Sequence, residues 1–500
     1  MGNMPRELDL EPLDNDAVGQ VNKKERHQTG GRTVIISYRL PVAKKVGPNQ
    51  EVTWEPTVGG MATAIRQALK NGADSDTQAL WLGWLGETGE TQGLEEALNP
   101  AEKVATGNGY LLHPVDIPPP EFNGFYYKTA NMGIWPAFHG YDLKIKRNSQ
   151  EIEEGWPDFV SANRRFAQEY IKVAKPDDQL FVQDYQLALV AQALRELGYT
   201  GRINYFLHIP FPKPDTFDKL PHAQDLLRAL LQYDRIGFQT EKDKANFEAC
   251  VSQLPEKPQR QPFLEVTPIS IDPQEFIEAS QKEKAQNLLK QLREDYEGQK
   301  IMFTGGRLDY TKGFVESVWA YQKALKNHPE LRGKTVFIIA AATSRGSISD
   351  YLKYTKQLNS AIDKVNDQFG TQTWQPVVTT GELKPEEMAA YYMAADVNLA
   401  GSRADGMNLT PKEAIAASST LDKDHTGVVV ISSGAGASKE FEKGALIFDP
   451  ASLEDQAETM AKAFAMPIDE RLAGRQINEA ALWANTISDW TRRNLAPQTP

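Results

Sequence analysis

From Thr33 onward, short β-branched and aromatic runs alternate with amphipathic stretches, and no other feature of the chain narrows its fold as much. The first series reads TVIISYRL (33–40), ALWLGW (79–84), QLFVQD (179–184) followed by YQLALVAQALREL, INYFLH (203–208), and RIGFQT (235–240) followed by EKDKANFEACVSQL. Strands separated by helix-length segments cannot close as tight hairpins, so they line up in parallel and bury both faces under helices. After LEVTPISIDPQEF a second series begins: IMFTGG, TVFIIAA, PVVTTG, DVNLAG, GVVVISS and ALIFD. The expected fold class is α/β, with two Rossmann-like domains facing each other across a deep cleft.

A chain of 500 residues exceeds what one core usually serves. The expected division is a flexible N-terminal extension over 1–30, a first Rossmann-like domain over 31–270, a second over 271–478, and a C-terminal crossover helix and tail over 479–500. NEAALWANTISDWTRRNL (478–495) is long enough to form that helix. In open α/β sheets ligands bind at the carboxyl ends of the strands, so the loops at those ends are the candidates for function.

One such loop, GGRLDYTKGF (305–314), places Arg307 and Lys312 just before a predicted helix whose apolar positions are Phe314, Val318, Tyr321 and Leu325. Cations are unfavourable at a helix N-terminus unless an anion joins them, and backbone N–H groups at such a terminus suit phosphate. A surface loop in which Asp309 pairs with one of the cations is the plainer alternative. Gly59 and Gly60 precede a second predicted helix, where glycine lets backbone approach a phosphate or simply makes a turn. ATSRGS places Arg345 at a strand end, and SRADGMNLTPKEA places Asp405 and Glu413 on either side of a helix start. Cations for a diphosphate and carboxylates for sugar hydroxyls together fit a nucleotide sugar.

Composition removes several other functions. A net charge of −12 without a broad basic run argues against nucleic acid or an anionic membrane as partner. The single cysteine, Cys250, excludes an internal disulfide and suits a reducing compartment. No run approaches the roughly 20 apolar residues that span a bilayer, and the N-terminus lacks a signal-peptide pattern, so a cytoplasmic location is expected. No metal or cofactor is expected: Asp14 with Asp16 and Asp74 with Asp76 lie in polar loops, and the seven histidines show no ligand spacing.

The stretches SYRLP, GGMATAI, WLGWLGETG, FYYKTANMGIWPAFH, DYQL, FLHIPFPKPDTF, GFQTEKDKANF, GGRLDYTKG, TSRG, DGMNLTPKEA and ISDW occur in that order. They resemble the family of retaining glycosyltransferases that contains trehalose-6-phosphate synthase, with glucosylglycerol-phosphate synthases as close relatives. The resemblance runs from about residue 33 to about 490 and implies a GT-B type fold with the C-terminal helix crossing back toward the first domain. It also implies transfer of glucose from a nucleoside diphosphate glucose, UDP-glucose foremost, to glucose 6-phosphate. Arg307 and Lys312 resemble the pair that neutralises the donor diphosphate, and Gly60 resembles the glycine of the loop that closes over it. Asp405, Gly406, Met407, Asn408 and Leu409 resemble the segment holding the donor glucose, Glu413 the ribose ligand, and His208 the histidine beside the donor sugar. Arg39, Tyr126 and Arg345 resemble the groups that bind the acceptor phosphate; Trp84, Trp135 and Asp184 resemble the lining of the acceptor sugar pocket. The implied mechanism is metal-independent and same-face, with the leaving phosphate taking the acceptor proton, and a homo-oligomer is compatible with it.

The sequence also departs from the family. Gln183 stands where a histidine usually precedes the aspartate, and an arginine at 403 replaces the one usually placed directly before Asp405. SSGAGASKE is more polar and glycine-containing than the usual run. Two alternatives stay open: a related synthase with another phosphorylated acceptor such as glycerol 3-phosphate, and a weakly catalytic sugar-phosphate sensor.

Overall fold

The alternating runs form two parallel sheets. A computed structural model describes residues 31–46, 52–56, 62, 65, 66, 69, 79–86, 110–342 and 349–495. The first domain contains β1 (Thr33–Arg39), β2 (Val42–Val46), β3 (Val52–Pro56), β4 (Ala79–Trp84), β5 (Tyr110–Pro114), β6 (Gln179–Gln183), β7 (Ile203–Phe206), β8 (Arg235–Phe238) and β9 (Phe263–Val266). Seven of these strands line up in the order β5-β4-β1-β6-β7-β8-β9, every pair parallel. β2 and β3 form a separate antiparallel ribbon. The second domain contains β10 (Lys300–Arg307), β11 (Thr335–Ala342), β12 (Val377–Thr380), β13 (Val397–Ala400), β14 (Val428–Ser432) and β15 (Leu446–Phe448), in the order β12-β11-β10-β13-β14-β15, again parallel.

Burial on both faces explains the near-continuous apolar strands: Val34, Ile35 and Ile36 of β1 and Val336 to Ile339 of β11 are all inaccessible to solvent or nearly so. Between them pack helices with one apolar stripe. The helix α2 (Phe314–Asn327) buries Phe314, Val318, Tyr321 and Leu325, the four positions its periodicity singles out. The longest helix described, α1 (Ser149–Val173), packs against an unusual element, a π-helix over Asn123–Ile134. Gly155 makes this contact possible, because a Cβ there would lie 2.8 Å from the Gly124 carbonyl oxygen.

The segment expected to form one C-terminal helix is two: α4 (Ile468–Ala484) and α5 (Ile487–Leu495). Asn485, with ψ at 87°, breaks the α-helical course, and its side-chain amide donates to the Pro268 carbonyl at 3.3 Å. The helix α4 therefore begins ahead of residue 479, and α5 docks on the first domain. The break turns the chain onto that domain, and the Ile487 N–H donates to the Ile271 carbonyl, at the boundary between the two, at 2.9 Å. Trp490 of α5 is fully buried against Phe181 of β6 and Phe206 of β7. The Arg235 guanidinium reaches the Arg493 and Asn494 carbonyls at 3.0 and 3.3 Å. One apolar cluster thus runs from Ile35 and Phe181 through Trp490 to Ile431 and Phe441. Among the described residues no helix is long and apolar enough to cross a membrane.

Removing a buried tryptophan leaves a large cavity, so Trp490→Ala is expected to destabilise the chain by about 3 to 5 kcal/mol. Thermal unfolding should show a lower midpoint and separated unfolding of the two domains; an unchanged single transition would mean that α5 does not tie them together.

Candidate active site

β10 delivers Arg307 to the rim of the second sheet, and the loop then turns sharply into α2. Asp309 pairs with neither Arg307 nor Lys312, the pairing the plainer alternative offered: its buried carboxylate accepts from the Thr311 N–H and hydroxyl, both at 3.0 Å, and from the Tyr351 hydroxyl at 3.0 Å. That inward capping holds the turn Tyr310–Lys312 and frees its cations to face elsewhere. Gly313 completes the turn with φ at 71°, and a Cβ there would sit 2.0 Å from the Gly401 carbonyl oxygen. Arg307 is exposed and has no hydrogen bond or ion pair among the described residues, whereas Lys312 forms a charged hydrogen bond with Asp405.

Asp405 lies in the loop between β13 and the helix α3 (Thr410–Ser418). Its carboxylate also accepts from the Ser402 hydroxyl at 3.2 Å, and its N–H donates to the Gly434 carbonyl at 3.0 Å. Asn408 adopts φ 63°, stabilised because its side-chain oxygen accepts from the Thr410 N–H and hydroxyl at 3.2 and 2.8 Å while its amide donates to Ser402 at 3.0 Å. Met407 is buried and its carbonyl accepts from the Ala437 N–H at 2.9 Å; Leu409 is half-buried. Glu413, one turn into α3, accepts from the Tyr392 hydroxyl at 2.9 Å. Burial pushes its carboxyl above the usual range, against the Tyr392 hydrogen bond and the Lys312 charge.

The first domain meets this wall at Gly406. A Cβ there would lie 1.9 Å from the His208 carbonyl oxygen, so glycine is obligatory for the two backbones to touch. His208 follows β7; its N–H donates to Asp184 at 3.1 Å, and its Nε2 donates to the Gln183 amide oxygen at 2.8 Å. An Nε2–H that donates to this oxygen leaves Nδ1 as acceptor. Burial pushes the imidazole down to about 3, so it is neutral. Asp184 itself holds φ 72°, a strained conformation for a residue with a side chain, at the carboxyl end of β6.

Of the remaining expected acceptor residues, Arg39 and Trp84 stand at the carboxyl ends of β1 and β4. The Arg39 guanidinium lies 5.9 Å from the Trp84 ring centre, and Trp84 packs on Phe122 with centroids 4.2 Å apart. Tyr126, on the π-helix, stacks on Tyr38 at 5.1 Å, their hydroxyls 3.5 Å apart. Trp135 is buried against Tyr185 and against His139, whose Nδ1 donates to the Trp135 carbonyl at 2.7 Å. Gly60 and Arg345 lie outside the described residues. The geometry thus joins Lys312 to Asp405 and Asp184 to His208, and brings the second pair against the first through Gly406.

Sequence reasoning missed Tyr392, Ser402 and His139. Tyr392 sits among the small apolar residues of AAYYMAA, where nothing separates it from core. Ser402 is an ordinary loop serine until folding places it between Asp405 and Asn408. His139 closes the stretch FYYKTANMGIWPAFH, but its contact with Trp135 needs the helical turn that joins residues four apart.

The family model of glycosyltransferase family 20 matches residues 31–497. A trehalose-6-phosphate synthase of Klebsiella pneumoniae is 34% identical over 92% of this chain and 94% of its own length. Among solved structures, an α,α-trehalose-phosphate synthase (UDP-forming) of Burkholderia xenovorans in complex with glucose-6-phosphate superposes with TM-score 0.79 at 27% identity, covering 93% of this chain and 98% of that one. An E. coli structure bound with UDP-2-fluoro glucose gives TM-score 0.78 at 29% identity, with the same coverage. The two-sheet GT-B architecture, the clustered loops and a match over nearly the whole chain agree, and the chain belongs to glycosyltransferase family 20 and is a glycosyltransferase.

Proposed function

We propose that this chain transfers glucose from UDP-glucose to glucose 6-phosphate, giving trehalose 6-phosphate with retention of configuration and without a metal ion. The observation that carries the reading is the Lys312–Asp405 pair held against the Gly406–His208 contact, because it places a fixed cation, a hydroxyl-accepting carboxylate and a neutral imidazole at one junction. Support for the substrates comes from relatives whose complexes carry glucose-6-phosphate and a UDP-glucose analogue.

In this reading Arg307 and Lys312 face the donor diphosphate, Gly60 lies on the loop over it, and Glu413 accepts from the ribose. Asp405 and the backbone of Gly406 to Leu409 hold the glucosyl hydroxyls, and His208 lies beside them. Arg39, Tyr126 and Arg345 take the acceptor phosphate; Trp84, Trp135 and Asp184 enclose its sugar. The bond from the anomeric carbon to the β-phosphate oxygen breaks, and the acceptor anomeric hydroxyl bonds to that carbon on the same face. Its proton passes to the departing phosphate oxygen. Negative charge grows on the diphosphate along this path, and preorganised cations in a water-poor cleft stabilise it without reorganising. Closure of the two domains aligns the reactants and excludes water.

Release of UDP from UDP-glucose should require glucose 6-phosphate and yield a phosphorylated disaccharide identifiable by mass. Release driven by glycerol 3-phosphate alone, or by no acceptor, would overturn the acceptor assignment. Arg307→Ala and Lys312→Ala should each lower turnover by about 10² or more in protein that unfolds at the normal temperature, the usual loss for a charge-stabilising group. Because burial lowers the His208 pKa, the ring stays neutral as pH falls through the usual histidine range. Imidazole NMR, assigned with His208→Gln, should show this resonance unmoved between pH 8 and pH 5, and a titration near the ordinary value would remove it from the buried junction.

A further inference from the structure

The arginine displaced to position 403 has a new partner on the other domain. Its guanidinium carbon lies 5.4 Å from the centre of the Tyr141 ring. The Tyr141 hydroxyl donates to the Tyr310 carbonyl at 3.0 Å, and the two tyrosine rings meet edge to face with centroids 4.9 Å apart. Tyr310 belongs to the loop that carries Arg307 and Lys312, and Arg403 belongs to the loop that carries Asp405. Inside the second domain these loops are already joined, because the Arg403 N–H donates to the Thr311 carbonyl at 2.9 Å. A single first-domain side chain therefore touches both donor loops.

The surrounding charges reinforce this contact. Lys144, three residues beyond Tyr141, lies 4.2 Å from the Tyr310 ring centre and donates to Asp350 at 2.6 Å. Arg147 donates to the same carboxylate oxygen at 2.6 Å. Asp350 stands near the start of the helix Ser349–Phe369, which follows the segment containing Arg345. Tyr141, Lys144 and Arg147 thus grip two second-domain loops and one helix start from a short first-domain stretch, Tyr141–Arg147.

We infer that Tyr141 and Arg403 form a latch that holds the domains closed and sets the donor loops in register with the first domain. This rests on the glycosyltransferase reading only for its kinetic consequence; the contact itself is a closure device. Tyr141 and Arg403 are positioning residues, acting through Tyr310 and the Asp405 loop. An exposed arginine on an aromatic face is worth a few-fold in an equilibrium, whereas loss of the whole tyrosine ring removes the stacking contacts and the hydrogen bond together.

The test uses the full chain with UDP as the closing ligand. Small-angle scattering with saturating UDP is compared for wild type, Arg403→Leu, Tyr141→Phe, Tyr141→Leu and the double leucine variant, with thermal unfolding in parallel. The leucine variants should stay more expanded than wild type in UDP at nearly unchanged unfolding temperature, and Tyr141→Phe, which keeps the ring, should fall between. Turnover should drop about two- to fivefold for Arg403→Leu and about tenfold or more for Tyr141→Leu, in kcat more than in the donor KM. The double variant should be no worse than Tyr141→Leu, since both remove one coupled contact. Identical scattering in all variants, or losses that multiply in the double variant, would overturn the latch. A wild-type chain that closes on UDP through these residues but leaves glucose 6-phosphate untouched would refute the acceptor and support the latch.

Discussion

Gly406 passes the His208 carbonyl of the other domain where a Cβ would have to lie 1.9 Å from the oxygen, and inside the second domain Gly436 backs this point, a Cβ there lying 2.0 Å from the Gly406 carbonyl oxygen. Neither position leaves room for a side chain, so at Gly406 the two domains meet backbone to backbone. What lies on either side is registered by that contact. On the first domain, Asp184 holds the His208 N–H and Gln183 holds its ring. On the second, the residue before Gly406 is Asp405, tied to Lys312 and Ser402. A methyl group at 406 would push the walls apart and separate the imidazole from the Asp405 loop, although neither side chain would have changed.

Electrostatics follow from this closeness. The chain carries a net charge of −12, yet the junction collects cations, and a free lysine there would repel Arg307 across the same loop. Asp405 offsets the Lys312 charge and restrains its side chain, so part of that chain's rotamer freedom is already spent in the fold. Glu413 sits behind, its carboxyl raised by burial and anchored by Tyr392. A mixed arrangement of this kind balances its own charges and still presents positive charge at the exposed Arg307. A purely cationic pocket would not hold its shape without a ligand.

Much of this was legible because parallel strands buried on both faces must be apolar throughout. TVIISYR, TVFIIAAA and VVVIS could be little else, and the loops after them follow from the sheet rule. The β2–β3 ribbon was not legible: VAKKV and VTWEP alternate weakly, and a lysine-rich edge reads as loop. Nor was the π-helix, since NGFYYKTANMGI has no periodicity that distinguishes a wider turn from an ordinary one; packing on α1 decides it. The break at Asn485 was hidden because ALWANTISDW is compatible with continuous helix until Asn485 finds the Pro268 carbonyl. In the site, residue types announced Arg307, Lys312 and Asp405, but their pairing depended on Asp309 turning inward, which local sequence leaves undecided between Lys312, Arg307 and the backbone.

The chain crosses between the domains twice, near 267–273 and again near 485–487, and the crossings are hydrogen-bonded to each other through Asn485 with Pro268 and Ile487 with Ile271. Beside them Lys412 is fully buried with Glu440 at 2.6 Å and Ser270 at 3.1 Å, an ion pair that costs much to break one-sidedly. Two linked crossings resist sliding and leave rotation as the cheapest relative motion. Rotation about them must strip the Gly406–His208 contact, which is van der Waals in nature and weakens within an ångström. The ion pairs of Asp350 with Lys144 and Arg147 act over longer range, so they resist further opening after the backbones have parted. Closure strength is therefore divided: the Gly406 crossing defines where the domains stop, and the Tyr141 side sets how readily they leave that position.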